Sequence, residues 1–123
     1  MTRINVGIPP KQLTRQHLIA EHREIKRVPN VVSKGKFNLI GQPKEFTLGT
    51  GHVKFFYDKL GYLKQRYEEL YNECRSRGYD VTYYGDAWDN VPVHLMGDYA
   101  PTERDIEIIT QRINEKLNDK KNL

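Results

Sequence analysis

A chain of 123 residues has room for one domain built on one hydrophobic core. Its 20 Lys and Arg against 16 Asp and Glu leave a formal net charge of +4, which suits a polyanionic partner without proving one. The lone Cys74 excludes an internal disulfide, and with no apolar run of about 18 residues and no apolar leader, neither a membrane span nor export is expected; a cytoplasmic protein is.

The chain opens Met1-Thr2-Arg3-Ile4-Asn5. An initiator methionine before a small residue is normally trimmed, and its loss makes Thr2 the amino terminus. An α-amine has a pKa of about 7.7–8.0 against about 10.4 for a lysine side chain, so roughly a tenth of it is neutral at about pH 7, and nearby cations raise that fraction. Arg3 is adjacent, and the basic cluster Arg23 to Arg27 lies on the first predicted helix, so Thr2 is a candidate covalent nucleophile. A frayed, inert terminus is the ordinary alternative, and a retained Met1 would block the amine.

Pro9-Pro10 stiffens the approach to a helix predicted over 15–28, capped by Thr14 and closed by Pro29. Leu18, His22 and Ile25 form its inward stripe, whereas His17, Ala20, Glu24 and Arg27 align on a polar face that gathers acid, base and cation. Residues 30–51 carry four glycines and a proline without a sustained period and read as a long ordered loop, pinned by Phe37, Leu39, Ile40, Phe46 and Leu48. Lys34, Lys36 and Lys44 there either meet phosphates or are ordinary solvated loop lysines.

A second helix is predicted over 52–77, with Val53, Phe56, Leu60, Leu63, Tyr67, Leu70 and Cys74 at spacings of three and four, and Gly78 as its left-handed stop. This stripe is the core spine. Cys74 completes it as an inert core thiol. Tyr79 to Ala100 is aromatic and interrupted by Gly85, Pro92 and Gly97; Asp80 to Tyr84 has some strand character, but without a partner strand an irregular packed segment is the expectation. Pro101 and Thr102 begin a third helix with Asp105 completing a capping box, Ile106, Ile109, Ile113 and Leu117 inward, Arg112 and Lys116 outward, and a frayed polar tail over 118–123.

Most catalytic chemistries find no support in these residues. His17 and His22 do not share a helical face and His52 and His94 stand alone, so no metal site is expected. Ser33 and Ser76 lack a nucleophile-elbow context, and Gly49-Thr50-Gly51 lacks the further glycine and lysine of a phosphate loop, leaving at most a generic anion site at a helix N-terminus. The basic faces fit a nucleic-acid backbone or a merely solvated surface. Glu24 tips the balance. A carboxylate between Arg23 and Arg27 repels phosphate, and its presence makes sense where a cation develops during a reaction.

Met1-Thr2-Arg3-Ile4-Asn5, then Gln16-His17-Leu18, Ala20-Glu21-His22-Arg23-Glu24 and Arg27, then Leu48-Gly49-Thr50-Gly51-His52-Val53 running into Phe55-Phe56-Tyr57-Asp58-Lys59-Leu60, and Gly97-Asp98-Tyr99, taken in that order, resemble the phage endonuclease V family of pyrimidine-dimer DNA glycosylases. The resemblance implies an all-α domain of three helices joined by long ordered loops, with the N-terminus against the first helix. It implies a glycosylase and AP lyase without metal or cofactor, acting as a monomer on double-stranded DNA that contains pyrimidine dimers or abasic sites. In such enzymes the freed amine of Thr2 attacks C1′ of the damaged nucleotide, an imine forms, and β-elimination cuts the strand on the 3′ side. Glu24 matches the essential carboxylate and Arg3, Arg23 and Arg27 the phosphate-contacting arginines, with Gln16, Arg112 and Lys116 as further DNA contacts. The family's phage enzyme carries an aromatic and basic tail where this sequence reads Asn118-Asp119-Lys120-Lys121-Asn122-Leu123, so the resemblance extends to the chemistry and not to lesion choice, and Tyr83 to Trp88 is either a substitute or core. A sibling glycosylase for another damaged base and a non-catalytic DNA-binding module are the alternatives.

Overall fold

The computed structural model describes residues 2–121 and is all-α. Three long helices, α1 (Arg15–Glu24), α3 (Leu60–Ser76) and α4 (Glu103–Lys121), and one short helix, α2 (Arg27–Ser33), are linked by 3-10 turns and ordered loops, with no β-strand among the described residues. Tyr79 to Tyr84 is irregular, as its unpaired strand pattern implied. Met1, Asn122 and Leu123 lie outside the described residues.

Thr14 caps α1, its hydroxyl accepting from the His17 amide at 3.3 Å. The first helix ends earlier than its sequence predicts. The chain bends at Ile25-Lys26 and resumes as α2, which places Pro29 third in the new helix, where a missing N–H leaves nothing unpaired, so Pro29 does not close the element. The second helix begins at Leu60 and not at His52. Before it, residues 52–59 form turns around a short 3-10 segment, Lys54–Phe56, because Lys59 leaves the helical region (φ −124°, ψ 36°) and pairs with Met96 in an isolated antiparallel bridge. That approach needs two glycines: a Cβ on Gly61 would stand 2.6 Å from the Met96 carbonyl oxygen, and one on Gly97 would stand 2.3 Å from that of Asp58. Gly49-Thr50-Gly51 therefore precedes a turn and not an α-helix, and the generic anion site expected there is not formed.

The spine is otherwise as its spacing demands. Phe56, Leu60, Leu63, Tyr67, Leu70 and Cys74 are buried, Val53 is half-buried, and burial pushes the Cys74 thiol up, away from reactivity. Ile4 and Val6 of the N-terminal segment, Leu18 of α1, Ile25 at the bend after it, and Phe46 of the long loop complete the core around it. Trp88 joins them, donating its indole N–H to the Leu60 carbonyl at 3.0 Å, so the core reading of the aromatic segment holds for that residue while Tyr83 stays exposed.

Thr102 and Asp105 form the reciprocal cap of α4, each side chain accepting from the other's amide at 3.1 Å. The helix runs on through Lys121, beyond the end its sequence predicts, since 118–121 holds no Gly or Pro to stop it. Where α4 crosses the N-terminal segment, Gly7 turns at φ +73° and a Cβ there would fall 2.5 Å from Ile106. The segment before α1 is thus held between α1 and α4.

Candidate active-site cavity

The meeting point of those three elements is a cavity of about 350 Å³. Arg3 and Asn5 reach it from the N-terminal segment, Arg112 and Lys116 from α4. His17, Ala20, Glu21 and Glu24 line it from α1, at the helical spacings of three and four that put one face of a helix along one wall. Glu24 is 14% exposed and lies 3.7 Å from the guanidinium of Arg27. Burial first, and the Arg112 charge second, hold the Arg3 guanidinium below its ordinary range, while Glu24 opposes both. Arg3, Arg112 and Lys116 thus share the cavity with Glu24, and Arg27 lies at its edge, in a recess that favours an anion at its rim and a positive charge beside Glu24.

Thr2 is 8% exposed. Its Cα stands about 3.8 Å from that of Arg3, so its backbone begins one residue from the cavity wall. Gln16 and Arg23 do not line this cavity but an adjoining depression of about 510 Å³ with Arg15 and Ile19, the two hollows sharing Ala20. Arg27 is at the exposed edge of Glu24. Of the sequence candidates, Gln16, Arg23 and Glu24 therefore fall on adjoining faces of α1, Arg27 follows at the start of α2, and Arg3, Arg112 and Lys116 line the cavity from the N-terminal segment and α4.

Four supporting residues, Glu21, Arg66, Asn5 and His52, carried no signal of their own. Glu21 is buried and accepts from both Nε (2.7 Å) and Nη2 (2.9 Å) of Arg66 on α3. It also accepts from the Asn5 amide nitrogen at 2.7 Å. The two carboxylates of α1 thereby separate: Glu21 is saturated by structural partners and Glu24 faces the hollow. His52 receives the Ile4 N–H at 2.9 Å. A buried Glu or Arg is legible only as a pair, and these partners stand 45 residues apart in sequence.

Among the described residues no cluster of three or more His, Cys, Asp or Glu is placed to hold a metal ion, and no helix is long and apolar enough to cross a membrane.

Fold and cavity together define a helical protein that presents a shielded carboxylate inside a cationic cleft, the layout of an enzyme working on a polyanion. The family model of pyrimidine dimer DNA glycosylases matches residues 1–84, and the chain belongs to that family. Damaged DNA is accordingly its substrate class. Thr2, Arg3, Gln16, Arg23, Glu24 and Arg27 fall within the matched residues, whereas Arg112 and Lys116 lie beyond them and join the cavity through the fold of α4.

Proposed function

We propose that the protein is a glycosylase and AP lyase that excises cyclobutane pyrimidine dimers from double-stranded DNA, using the α-amine of Thr2 after Met1 is removed. The observation that carries this reading is the cavity in which Glu24 faces Arg3, the residue next to Thr2.

The amine lone pair bonds to C1′ of the damaged nucleotide as the glycosidic bond breaks and its electron pair leaves with the base. After one amine proton is lost, the nitrogen lone pair forms the C1′=N bond as the C1′–O4′ bond breaks and O4′ takes up a proton, which gives a protonated imine between Thr2 and the opened sugar. Removal of a C2′ proton then expels the 3′ oxygen with its phosphate, cutting the strand. Glu24 stabilises the positive sugar and carries protons at it. Arg3, Arg23 and Arg27 hold the flanking phosphates, with Gln16, Arg112 and Lys116 as further contacts. The target nucleotide has to leave the stack to reach the cavity, which costs least where damage has already weakened pairing.

Borohydride reduction of the protein mixed with ultraviolet-irradiated or abasic duplex tests the reading. A covalent adduct mapping to Thr2 is the expected outcome. An adduct on a lysine, or binding with no adduct at all, overturns it.

A further inference from the structure

Nearest to Thr2 among the anchors of the segment ahead of α1 is an imidazole. His52 Nε2 lies 2.9 Å from the Ile4 amide nitrogen, and Nδ1 lies 2.8 Å from the Thr47 carbonyl oxygen. A carbonyl only accepts, so Nδ1 carries the proton and Nε2 keeps its lone pair for the Ile4 N–H. Both ring nitrogens are used, in opposite senses. The ring is 4% exposed and meets Phe46 and Phe56 edge-on. No freedom is left for it to turn over. Ile4 is two residues beyond Thr2, a span of at most about 7 Å, so whatever fixes Ile4 limits where Thr2 and Arg3 can go.

We propose that neutral His52 is a positioning residue for the reaction: through the Ile4 amide it sets the register of the N-terminal segment, and so holds Arg3 at the cavity wall and Thr2 one residue from it. This rests on the Thr2 amine reading above. Protonation of Nε2 would turn its lone pair into a second N–H facing the Ile4 N–H, and the anchor would become a repulsion.

The charged groups around the ring act in both directions. Arg3 disfavours the imidazolium and Glu21 favours it, while Arg104, from α4, donates to the Phe46 carbonyl at 3.1 Å. Burial is the largest influence and lowers the His52 pKa; the Thr47 carbonyl opposes it. With the folded value below the unfolded value of about 6.5, the anchor is complete above that pH and is lost as pH falls through the lower folded value. The reaction acquires an acid-side limb that belongs neither to the amine nor to Glu24.

Two substitutions isolate this. In His52→Gln, an amide oxygen and an amide nitrogen flank one carbon as the two ring nitrogens flank Cε1, so the side chain can serve Ile4 and Thr47 together and does not titrate. His52→Leu serves neither. Adduct formation with abasic duplex under borohydride is measured in single turnover across about pH 5 to 8, alongside the denaturant midpoint and the amide proton signal of Ile4. His52→Leu should trap about 10- to 100-fold more slowly, and His52→Gln should recover most of that loss near neutrality. The ratio of wild-type to His52→Gln rates should fall as pH falls, together with a pH-dependent Ile4 amide signal that the Gln variant lacks.

A constant ratio, or a flat Ile4 signal in the wild type, overturns the positioning role even where His52→Leu proves too unstable to compare. A wild-type adduct that maps away from Thr2 instead overturns the functional reading. The Ile4 signal then still reports whether the anchor titrates.

Discussion

Glu21 and Glu24 are the same residue type one helical turn apart, and their surroundings give them different work. Glu21 has Arg66 on both oxygens and Asn5 on one, so its charge is already met by a structural partner. Glu24 borders the cavity with Arg27 at 3.7 Å. Glu24→Gln keeps the shape and removes both the charge and the proposed proton-carrying role, so strand cutting on abasic duplex should fall by about 10²–10⁴-fold. Binding of the same duplex should not weaken, because a negative charge among phosphates has been removed. Cutting rates and equilibrium binding measured on one preparation check both halves; cutting at the wild-type rate would remove Glu24 from the mechanism. Of this contrast the sequence showed one side. Glu24 stood out as a carboxylate among arginines, whereas Glu21 lay inside the same block with nothing to mark it as buried, its partner being on another helix.

At the level of elements, α1, α3 and the N-terminal segment are joined through polar groups in the core. Arg66 sits between Leu63 and Tyr67, beside the apolar stripe of α3, and is buried. Besides holding Glu21 it donates to the Ile8 carbonyl at 2.6 Å. Tyr67 makes a second tie, lying 3.0 Å from His22 Nε2 on α1. Arg66→Met leaves Glu21 charged, buried and unpaired, and should cost about 3–5 kcal/mol in a denaturant titration. Adding Glu21→Gln to it should recover much of that loss by removing the orphaned charge, and a pair variant no more stable than Arg66→Met would show that the ion pair is not what the single change breaks. The periodic part of this architecture was legible: the stripe from Phe56 to Cys74, the Thr14 cap and the Thr102-Asp105 box all follow from spacing and local hydrogen bonding. What was not legible is set by contacts between distant segments. The start of α3 at Leu60 depends on Met96 and Gly97 lying against residues 58–61, and the bend at Ile25-Lys26 on α2 packing separately, through buried Val28 and Val32.

For the molecule as a whole, a net charge of +4 understates the field that DNA meets. Arg3, Arg112 and Lys116 ring one cavity, with Arg23 in the adjoining hollow and Arg27 at the edge. Several acidic side chains are meanwhile occupied elsewhere: Glu21 by Arg66, Glu68 by Lys64 and Glu73 by Arg77. The cationic flank of α1 and α4 is therefore the surface along which a duplex backbone should lie. Every phosphate neutralised there releases counterions and adds about 0.9 to the steepness with which log K falls against log salt. Arg23→Ala should then weaken binding to damaged and undamaged duplex alike and flatten the slope by about one. Arg112→Ala, although it lies beyond the residues matched by the family model, should flatten it similarly if α4 closes the same groove. It should also slow cutting, since Arg112 faces Arg3 and Glu24 inside the cavity, whereas Arg23 stands outside it. Fluorescence anisotropy across a salt series, paired with single-turnover cutting, separates the two. A slope unchanged by Arg112→Ala would place α4 off the DNA and leave α1 as the contact surface.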